Sequence, residues 1–157
     1  MRRIALAASA VLCAATALLT GCGSSTGIGT GAEGTPARIS VSGAYIPLPA
    51  SPDVAVAYFD VINIGGSADR LTGVSTPAAQ SAALNESTTT SMQTVDGVDV
   101  PAHGRALFAR GGTHVMLMGL KAAPKLGQTI ELTLSFQHSG KVTVQATVQP
   151  LTYQPPK

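Results

Sequence analysis

Hydrophobic and polar residues alternate with a period of two along most of the chain after residue 38. In "TIELTLSF" (129–136), every second residue is Ile, Leu or Phe and the residues between them are polar or charged. The segment "KVTVQATVQ" (141–149) repeats this pattern, and the intervening "QHSG" has the composition of a tight turn. Strict alternation is typical of a strand with one buried face. The two segments are therefore predicted to form a β-hairpin.

The same pattern predicts seven further short strands, and no window after the N-terminal segment has a sustained helical period. These strands are expected near residues 39–45, 54–63, 71–75, 82–87, 92–94, 105–109 and 114–120. Short strands separated by turn signals at intervals of about 8 to 12 residues are typical of β-sandwiches and barrels. The predicted fold class is all-β, with the architecture of a Greek-key β-sandwich or barrel.

The N-terminal segment has a different composition. Arg2 and Arg3 precede an apolar run that ends at Leu19, which is the order of a secretory signal peptide. The run is shorter than a membrane-spanning helix of about 20 residues. The next residues, "TGC", complete a sequence that resembles a bacterial lipobox, in which Cys22 receives the lipid. Residues 23–37 are rich in Gly, Ser and Thr, as flexible linkers are.

These features predict the organisation of the whole chain. We expect a lipoprotein signal peptide at 1–21, a lipid-anchored flexible linker at 22–37, a folded domain at 38–150 and a C-terminal tail at 151–157.

Charge and motif content exclude two classes of function. Removal of the signal peptide leaves eight basic and eight acidic residues, one cysteine and no tryptophan. Such a chain lacks the clustered positive charge that nucleic-acid binding requires. No GxSxG motif or pair of catalytic carboxylates accompanies the Ser, His and Asp residues. We therefore expect neither a nucleic-acid-binding protein nor an enzyme.

The segment "HVMLMG" (114–119) suggests metal chemistry. It places His114, Met116 and Met118 on one face of a predicted strand. Thioether sulfur favours Cu(I), and imidazole is compatible with the same ion. Strand residues two apart lie at about 6.6 Å and can share an ion, whereas residues four apart lie at about 13 Å. Met118 is therefore not expected to join His114 and Met116, and Met92 is the remaining thioether of the processed chain. The predicted ligands are Met92, His114 and Met116.

A structural role for this segment is the alternative. A strand that is buried on both faces has a similar sequence, and methionine commonly fills gaps in cores. His103 and His138 are not expected to be ligands, because the first is predicted in a distant loop and the second in a hairpin turn.

The motif resembles that of the PCuAC family of periplasmic copper chaperones, whose ligand pattern is a histidine, a methionine, twenty-one residues and then His-x-Met. Here Met92 is followed by 21 residues and then by His114-Val115-Met116. The segments "GAYIPLP" and "AVAYFDVINIGGSADRLTGVSTPAAQSAAL" also resemble the family, so the resemblance covers roughly residues 38–150. The family's Leu-His-Glu is replaced by Leu84-Asn85-Glu86, which leaves three candidate ligands.

The resemblance implies a cupredoxin-like fold that binds Cu(I) outside the cytoplasm. It also implies delivery of copper to an acceptor protein such as cytochrome c oxidase or its assembly factors. We expect a monomeric lipoprotein that is attached through Cys22 to the extracytoplasmic face of the bacterial cell membrane. The alternative is an extracytoplasmic interaction or structural module of the same fold that lost metal binding together with the first histidine.

Overall fold

The computed structural model describes residues 34–156, which form β-strands joined by turns and loops. The strands are β1 (Ile39–Pro47), β2 (Val54–Asn63), β3 (Asp69–Ser75), β4 (Ala79–Ser87), β5 (Met92–Thr94), β6 (Val98–Val100), β7 (Gly104–Phe108), β8 (Thr113–Leu120), β9 (Thr129–Phe136) and β10 (Gly140–Gln149). In this range, no helix is long and apolar enough to cross a membrane. The predicted signal peptide and Cys22 lie outside the described residues.

The strands form one curled, mixed sheet in the order β5-β4-β8-β2-β1-β10-β9-β3-β6, and β7 pairs with β2. Strand β2 pairs through its first half with β8 and through its second half with β7. Strands β1 and β10 are parallel, whereas the other pairs are antiparallel. The sheet curls until β3 and β4 contact each other, so it has an inner face and an outer face.

The predicted all-β class is confirmed, and so is the β9–β10 hairpin with its turn after Phe136. Two details of the prediction were wrong. Strand β6 was missed, because three residues are too few to establish an alternating pattern. Strand β4 begins at Ala79 rather than near residue 82, because its first residues pair with the end of β8 without a clear alternation of their own.

The hydrophobic core fills the inner face of the sheet. On β9, the alternating residues Ile130, Leu132, Leu134 and Phe136 are buried, as their spacing predicts. The rings of Phe59 and Phe108 stack at a centroid distance of 4.3 Å. Buried apolar area contributes about 25 cal/mol per Å², so this interior supplies most of the stability of a domain in which no disulfide is expected.

A β-bulge in β1 changes which residues of that strand face the core. The register with β2 shifts between Ser42 and Tyr45, and Gly43 has φ of 62°, a conformation that glycine adopts without steric cost. One extra residue reverses the alternation that follows it. As a result, Ile46 is fully buried and Tyr45 pairs with Tyr58 on β2.

Asp69 anchors the β9–β10 turn to the start of β3. Its carboxylate accepts hydrogen bonds from the backbone N–H groups of Arg70, His138 and Ser139 at 2.7, 2.9 and 2.9 Å. Burial raises the pKa of Asp69, but the hydrogen bonds from Ser139, His138 and Arg70 outweigh this effect and hold the pKa below its ordinary value.

We expect Asp69→Asn to lower the free energy of unfolding at pH 7 by about 1–3 kcal/mol, because an amide cannot accept all three hydrogen bonds and leaves buried donors unpaired. A group with a lowered native pKa contributes stability above its unfolded pKa of about 3.9 and loses it as the pH falls through the native value. The difference between the wild type and the variant should therefore shrink below about pH 4.

Urea unfolding between pH 7 and pH 2.5 measures this difference, with Asp99→Asn as the control. The Asp99 side chain is exposed and forms an ion pair with Arg70, and such pairs contribute little. Equal destabilisation by both variants at pH 7 would contradict the anchoring role of Asp69.

Candidate metal centre

The two faces of β8 have different surroundings. Val115 and Leu117 point inward and are fully buried in the core. His114, Met116 and Met118 therefore share the outer face of the strand. On this face His114 is buried, Met116 is partly buried and the exposed fraction of Met118 is 37%. The candidate ligands on this strand thus lie on its outer face, outside the hydrophobic core.

Strand register arranges the candidate residues in three successive rows across the sheet. In the middle row, Thr94 of β5, Asn85 of β4 and His114 of β8 are direct partners. In the next row toward the end of β4, Met92 of β5 is opposite Ser87. In the next row toward the start of β4, Met116 of β8 is opposite Ala83.

This arrangement brings two of the three predicted ligands together. His114 and Met116 are next to each other on one face of β8, at the spacing of about 6.6 Å that allows them to share an ion. Met92 is on β5, which β4 separates from β8. Met92 and Met116 also lie on opposite sides of the middle row. The two residues are two strands apart across the sheet and four residues apart along the strand direction, which corresponds to about 16 Å between their Cα atoms.

The imidazole of His114 is oriented for coordination. Its Nδ1 is 2.9 Å from the carbonyl oxygen of Gly112. Because a carbonyl oxygen only accepts hydrogen bonds, Nδ1 is the donor, and Nε2 is the ring nitrogen left for a metal ion. Metal-binding histidines are commonly fixed in this way, with one ring nitrogen donating to a backbone carbonyl.

Tyr58 shields the other side of His114. The centroids of the two rings are 6.5 Å apart, and the exposed fraction of His114 is only 7%. Burial raises the pKa of the Tyr58 hydroxyl, and the nearby charge of Arg110 only partly opposes this effect. The phenol is therefore neutral at physiological pH, so it limits the access of water to His114 without adding a negative charge.

Asn85 occupies the centre of the middle row, and both polar atoms of its amide have a hydrogen-bond partner. Its Nδ2–H donates to the carbonyl oxygen of Ala83 at 3.2 Å, and the Thr94 hydroxyl donates to its Oδ1 at 3.0 Å. Asn85 is also buried. An amide oxygen is a hard donor that Cu(I) does not favour. Asn85 therefore contributes hydrogen bonds within the sheet rather than a fourth soft ligand.

The other histidines lie apart from this group. His103 is exposed and has φ of 50° in the turn before β7. His138 is exposed in the β9–β10 turn, where its backbone N–H donates to Asp69. Among residues 34–156, no group of three or more His, Cys, Asp or Glu side chains could hold a metal ion.

Sequence reasoning did not identify Thr94 and Tyr58 as parts of the site. The position of Thr94 two residues after Met92 places both on one face of β5, and this spacing was a usable signal. Tyr58 has no such signal, because its proximity to His114 depends on the pairing of β2 with β8.

Comparisons with known proteins agree with this fold. Residues 39–148 match the family described as "Putative lipoprotein LpqE-like". A protein of Leifsonia xyli subsp. xyli, named "Putative lipoprotein Lxx21020", is 34% identical over 116 residues, which cover 71% of this chain and 69% of that protein.

Solved structures of PCuAC domains are also similar. The apo PCuAC domain of PmoF2 has a TM-score of 0.64 and 24% identity, over 78% of this chain and 99% of that domain. The copper(I) form of DR1885 from Deinococcus radiodurans has a TM-score of 0.62 and 33% identity, over 78% of this chain and 85% of that protein. These likenesses confirm the expected cupredoxin-like fold. The chain therefore belongs to the LpqE-like family, and its described residues have the architecture of a PCuAC domain.

Proposed function

We propose that this protein is a copper chaperone that binds Cu(I) outside the cytoplasm and passes it to a copper-site protein. The observation that carries the proposal is the pair of donors compatible with Cu(I) on the outer face of β8, where Nε2 of His114 lies beside the thioether of Met116. The similarity to the copper(I) form of DR1885 supports the same metal. The role of a carrier requires binding and release of the ion, with no catalytic group.

In this proposal His114 and Met116 bind first, and Met92 completes a three-coordinate site. Strand β5 has only three residues, all exposed, and forms the edge of the sheet. It can therefore bend toward His114 with little loss of packing. The exposed fraction of Met92 is 58%, so a partner's ligand can displace this thioether before it reaches the more buried His114. Weak, accessible coordination of this kind favours transfer over storage.

The acceptor approaches from the outer face in this mechanism. A pocket of about 330 Å³ borders the site, and its lining includes Val54, Val56 and Tyr58. Val54 and Val56 pair directly with Met118 and Met116. Apolar side chains beside the ligands give a partner a surface on which to dock during exchange. Cytochrome c oxidase or one of its assembly factors is the proposed acceptor.

The proposed location is the extracytoplasmic face of the cell membrane. Cys22 follows an apolar signal and precedes a linker rich in Gly and Ser. The family and the Leifsonia protein are both named as lipoproteins, which supports an anchor at this residue. We propose that residues 22–37 connect the lipid to a copper-binding domain at 38–150, with a tail at 151–157, and that the protein is a monomer.

A second candidate is an interaction module that no longer binds metal. The hydrogen-bonded amide of Asn85 favours it, because this side chain fills the centre of the site with a poor Cu(I) donor. In that case the methionines of the outer face would contact another protein.

We expect the unit formed by residues Ala32–Lys157 to bind one equivalent of Cu(I) in competition with a chromophoric chelator under reducing conditions. His114→Ala and Met116→Ala should each weaken binding by more than the roughly 10- to 100-fold that loss of an outer-shell partner costs. Met92→Ala should weaken binding less than either of these variants, because Asn85 lies between Met92 and the other two ligands.

Met118→Ala is the matched control, since it removes a thioether from the same face without removing a predicted ligand. Its affinity should equal that of the wild type. Absence of stoichiometric binding to the wild type would exclude the chaperone and leave the interaction module.

Asn85→His should increase the Cu(I) affinity by roughly tenfold or more, because it exchanges a hard oxygen for an imidazole at the centre of the three rows. Residue 85 is directly opposite His114 and lies between the rows of Met92 and Met116. The same competition titration measures the gain. Asn85→Ala is the control, because it breaks the same hydrogen bonds without adding a ligand. Equal affinity of the two variants would show that the ligands do not converge near residue 85.

The full chain expressed in a bacterial host with lipoprotein processing should incorporate radiolabelled palmitate and partition with the membrane. Cys22→Ser should abolish both, because serine lacks the thiol to which the lipid is attached. Cys13→Ser is the control, because Cys13 lies within the predicted signal peptide. Labelling that persists in Cys22→Ser would place the anchor elsewhere.

A further inference from the structure

The pocket that borders the candidate metal centre combines apolar walls with a single charge. Its volume is about 330 Å³, and its lining includes Leu48, Val54, Val56, Tyr58, Arg110 and Leu151. Among the described residues that line it, Arg110 is the only charged one. Asp60 of β2 and Asp53, which precedes that strand, lie outside the lining. The lining therefore presents one positive charge and no negative charge to a ligand.

The apolar wall of the pocket is open to solvent. The exposed fractions of Leu48 and Leu151 are 38% and 62%, and Val54 and Val56 are only partly buried. Exposed apolar side chains that form one patch with a polar rim mark interaction sites. Arginine and tyrosine are enriched among the residues that dominate the binding energy of protein interfaces. The pocket therefore has the composition of a protein-binding surface.

The guanidinium of Arg110 is both accessible and oriented. Arg110 is exposed, and its Nη2 donates a hydrogen bond to the carbonyl oxygen of Leu151 at 2.7 Å. This bond uses one of the five N–H groups of the guanidinium. Among residues 34–156, the arginines that form ion pairs are Arg70 and Arg105, not Arg110. The side chain is thus held at the pocket while other N–H groups stay available for a carboxylate.

Tyr58 places a phenol on the same lining as Arg110. Burial raises the pKa of Tyr58 more than the nearby charge of Arg110 lowers it. The hydroxyl therefore keeps its proton at physiological pH and can donate it in a hydrogen bond. A guanidinium and a phenol together favour an anion, because an ionised carboxylate only accepts hydrogen bonds.

The segments that form the rim of the pocket are fixed to each other. The ends of β1 and β10 are paired, and the backbone N–H of Leu48 donates to the carbonyl oxygen of Gln149 at 2.8 Å. Beyond β10, the hydrogen bond from Arg110 holds Leu151 in place. A preformed surface of this kind loses little conformational freedom when a partner binds.

We propose that the pocket holds an acidic, apolar segment of the copper acceptor, a partner whose identity rests on the function proposed above. A carboxylate of this segment pairs with Arg110, and the apolar side chains beside it pack on Leu48, Val56 and Leu151. The exposed rim favours a protein over a free fatty acid, because a site for a small apolar molecule buries most of its ligand.

The position of the pocket suits the transfer of an ion. Val56 pairs directly with Met116, and the ring of Tyr58 is next to that of His114. A segment bound in the pocket therefore brings its own chain beside two of the predicted copper ligands. Charge complementarity at such a surface speeds encounter and fixes the orientation of the complex.

The test uses the unit formed by residues Ala32–Lys157, which contains the hydrophobic core of the described residues and so has the packing it needs to fold alone. The ¹⁵N-labelled, copper-free unit is titrated with acetyl-Leu-Glu-Leu-amide. We expect saturable changes in the amide signals of Leu48 and Val56 and in the side-chain Nε–H signal of Arg110. Acetyl-Leu-Gln-Leu-amide and acetyl-Ser-Glu-Ser-amide should each bind about fivefold more weakly or less, because the first lacks the charge and the second lacks the apolar contacts.

Arg110→Gln should remove the preference for glutamate, so that this variant binds the two leucine peptides with equal affinity. A general disturbance of the pocket would weaken both peptides alike and leave the preference intact, so this comparison separates ion pairing from a structural role. Arg38→Gln is the matched control, because it makes the same change in charge at an exposed arginine before β1. It should keep the preference of the wild type.

Four results would overturn the inference. These are the absence of saturable binding, equal affinity of the wild type for the two leucine peptides, a preference for glutamate that persists in Arg110→Gln, and tighter binding of octanoate than of the glutamate peptide. The last result would assign the pocket to a free fatty acid.

The Cu(I) titration described above is a separate measurement. Copper binding without peptide binding would contradict this inference and leave the copper chaperone. Peptide binding without copper binding would exclude a copper acceptor as the partner and leave the pocket as the docking surface of the interaction module.

Discussion

The alternating burial of β8 is the constraint on which the candidate site depends. Val115 and Leu117 are fully buried between the inner faces of the curled sheet, and removal of either from the core would cost several kcal/mol, about 2–5 for a large-to-small substitution. Because strand side chains alternate between faces, this burial fixes His114 and Met116 on the outer face. The hydrophobic core therefore positions the soft donors without contacting them.

The position of β4 determines what these donors can do. This strand separates Met92 from His114 and places Asn85 at the centre of the three rows. The buried amide of Asn85 has partners for both of its polar atoms, Thr94 and the Ala83 carbonyl, so it is stable there without a metal. A histidine at this position would place an imidazole, a donor compatible with Cu(I), at the centre of the three rows. Asn85 thus completes the hydrogen bonding of the sheet with a side chain that Cu(I) does not favour.

The outer face carries more than the soft donors. The bulge at Gly43 directs Tyr45 toward Tyr58, and Tyr58 in turn shields His114. The residues after β10 pack on Tyr45 through Tyr153. This group of rings borders the candidate ligand His114. The inner face supplies stability, and the outer face carries the thioether and polar side chains because they are not needed for the core.

The sequence by itself determined the local features of this protein. Period-two alternation identified most of the strands and the β9–β10 hairpin, because the burial of one face of a strand is recorded in consecutive residues. It also showed that His114 and Met116 share a face, since both belong to one strand. Only the tertiary structure decided the relations between strands. The 21 residues between Met92 and His114 suggested a shared site, yet the register places Met92 across β4 and on the opposite side of Asn85 from Met116. The bulge in β1 and the contact of Tyr58 with His114 likewise depend on pairings between distant segments, which local periodicity does not encode.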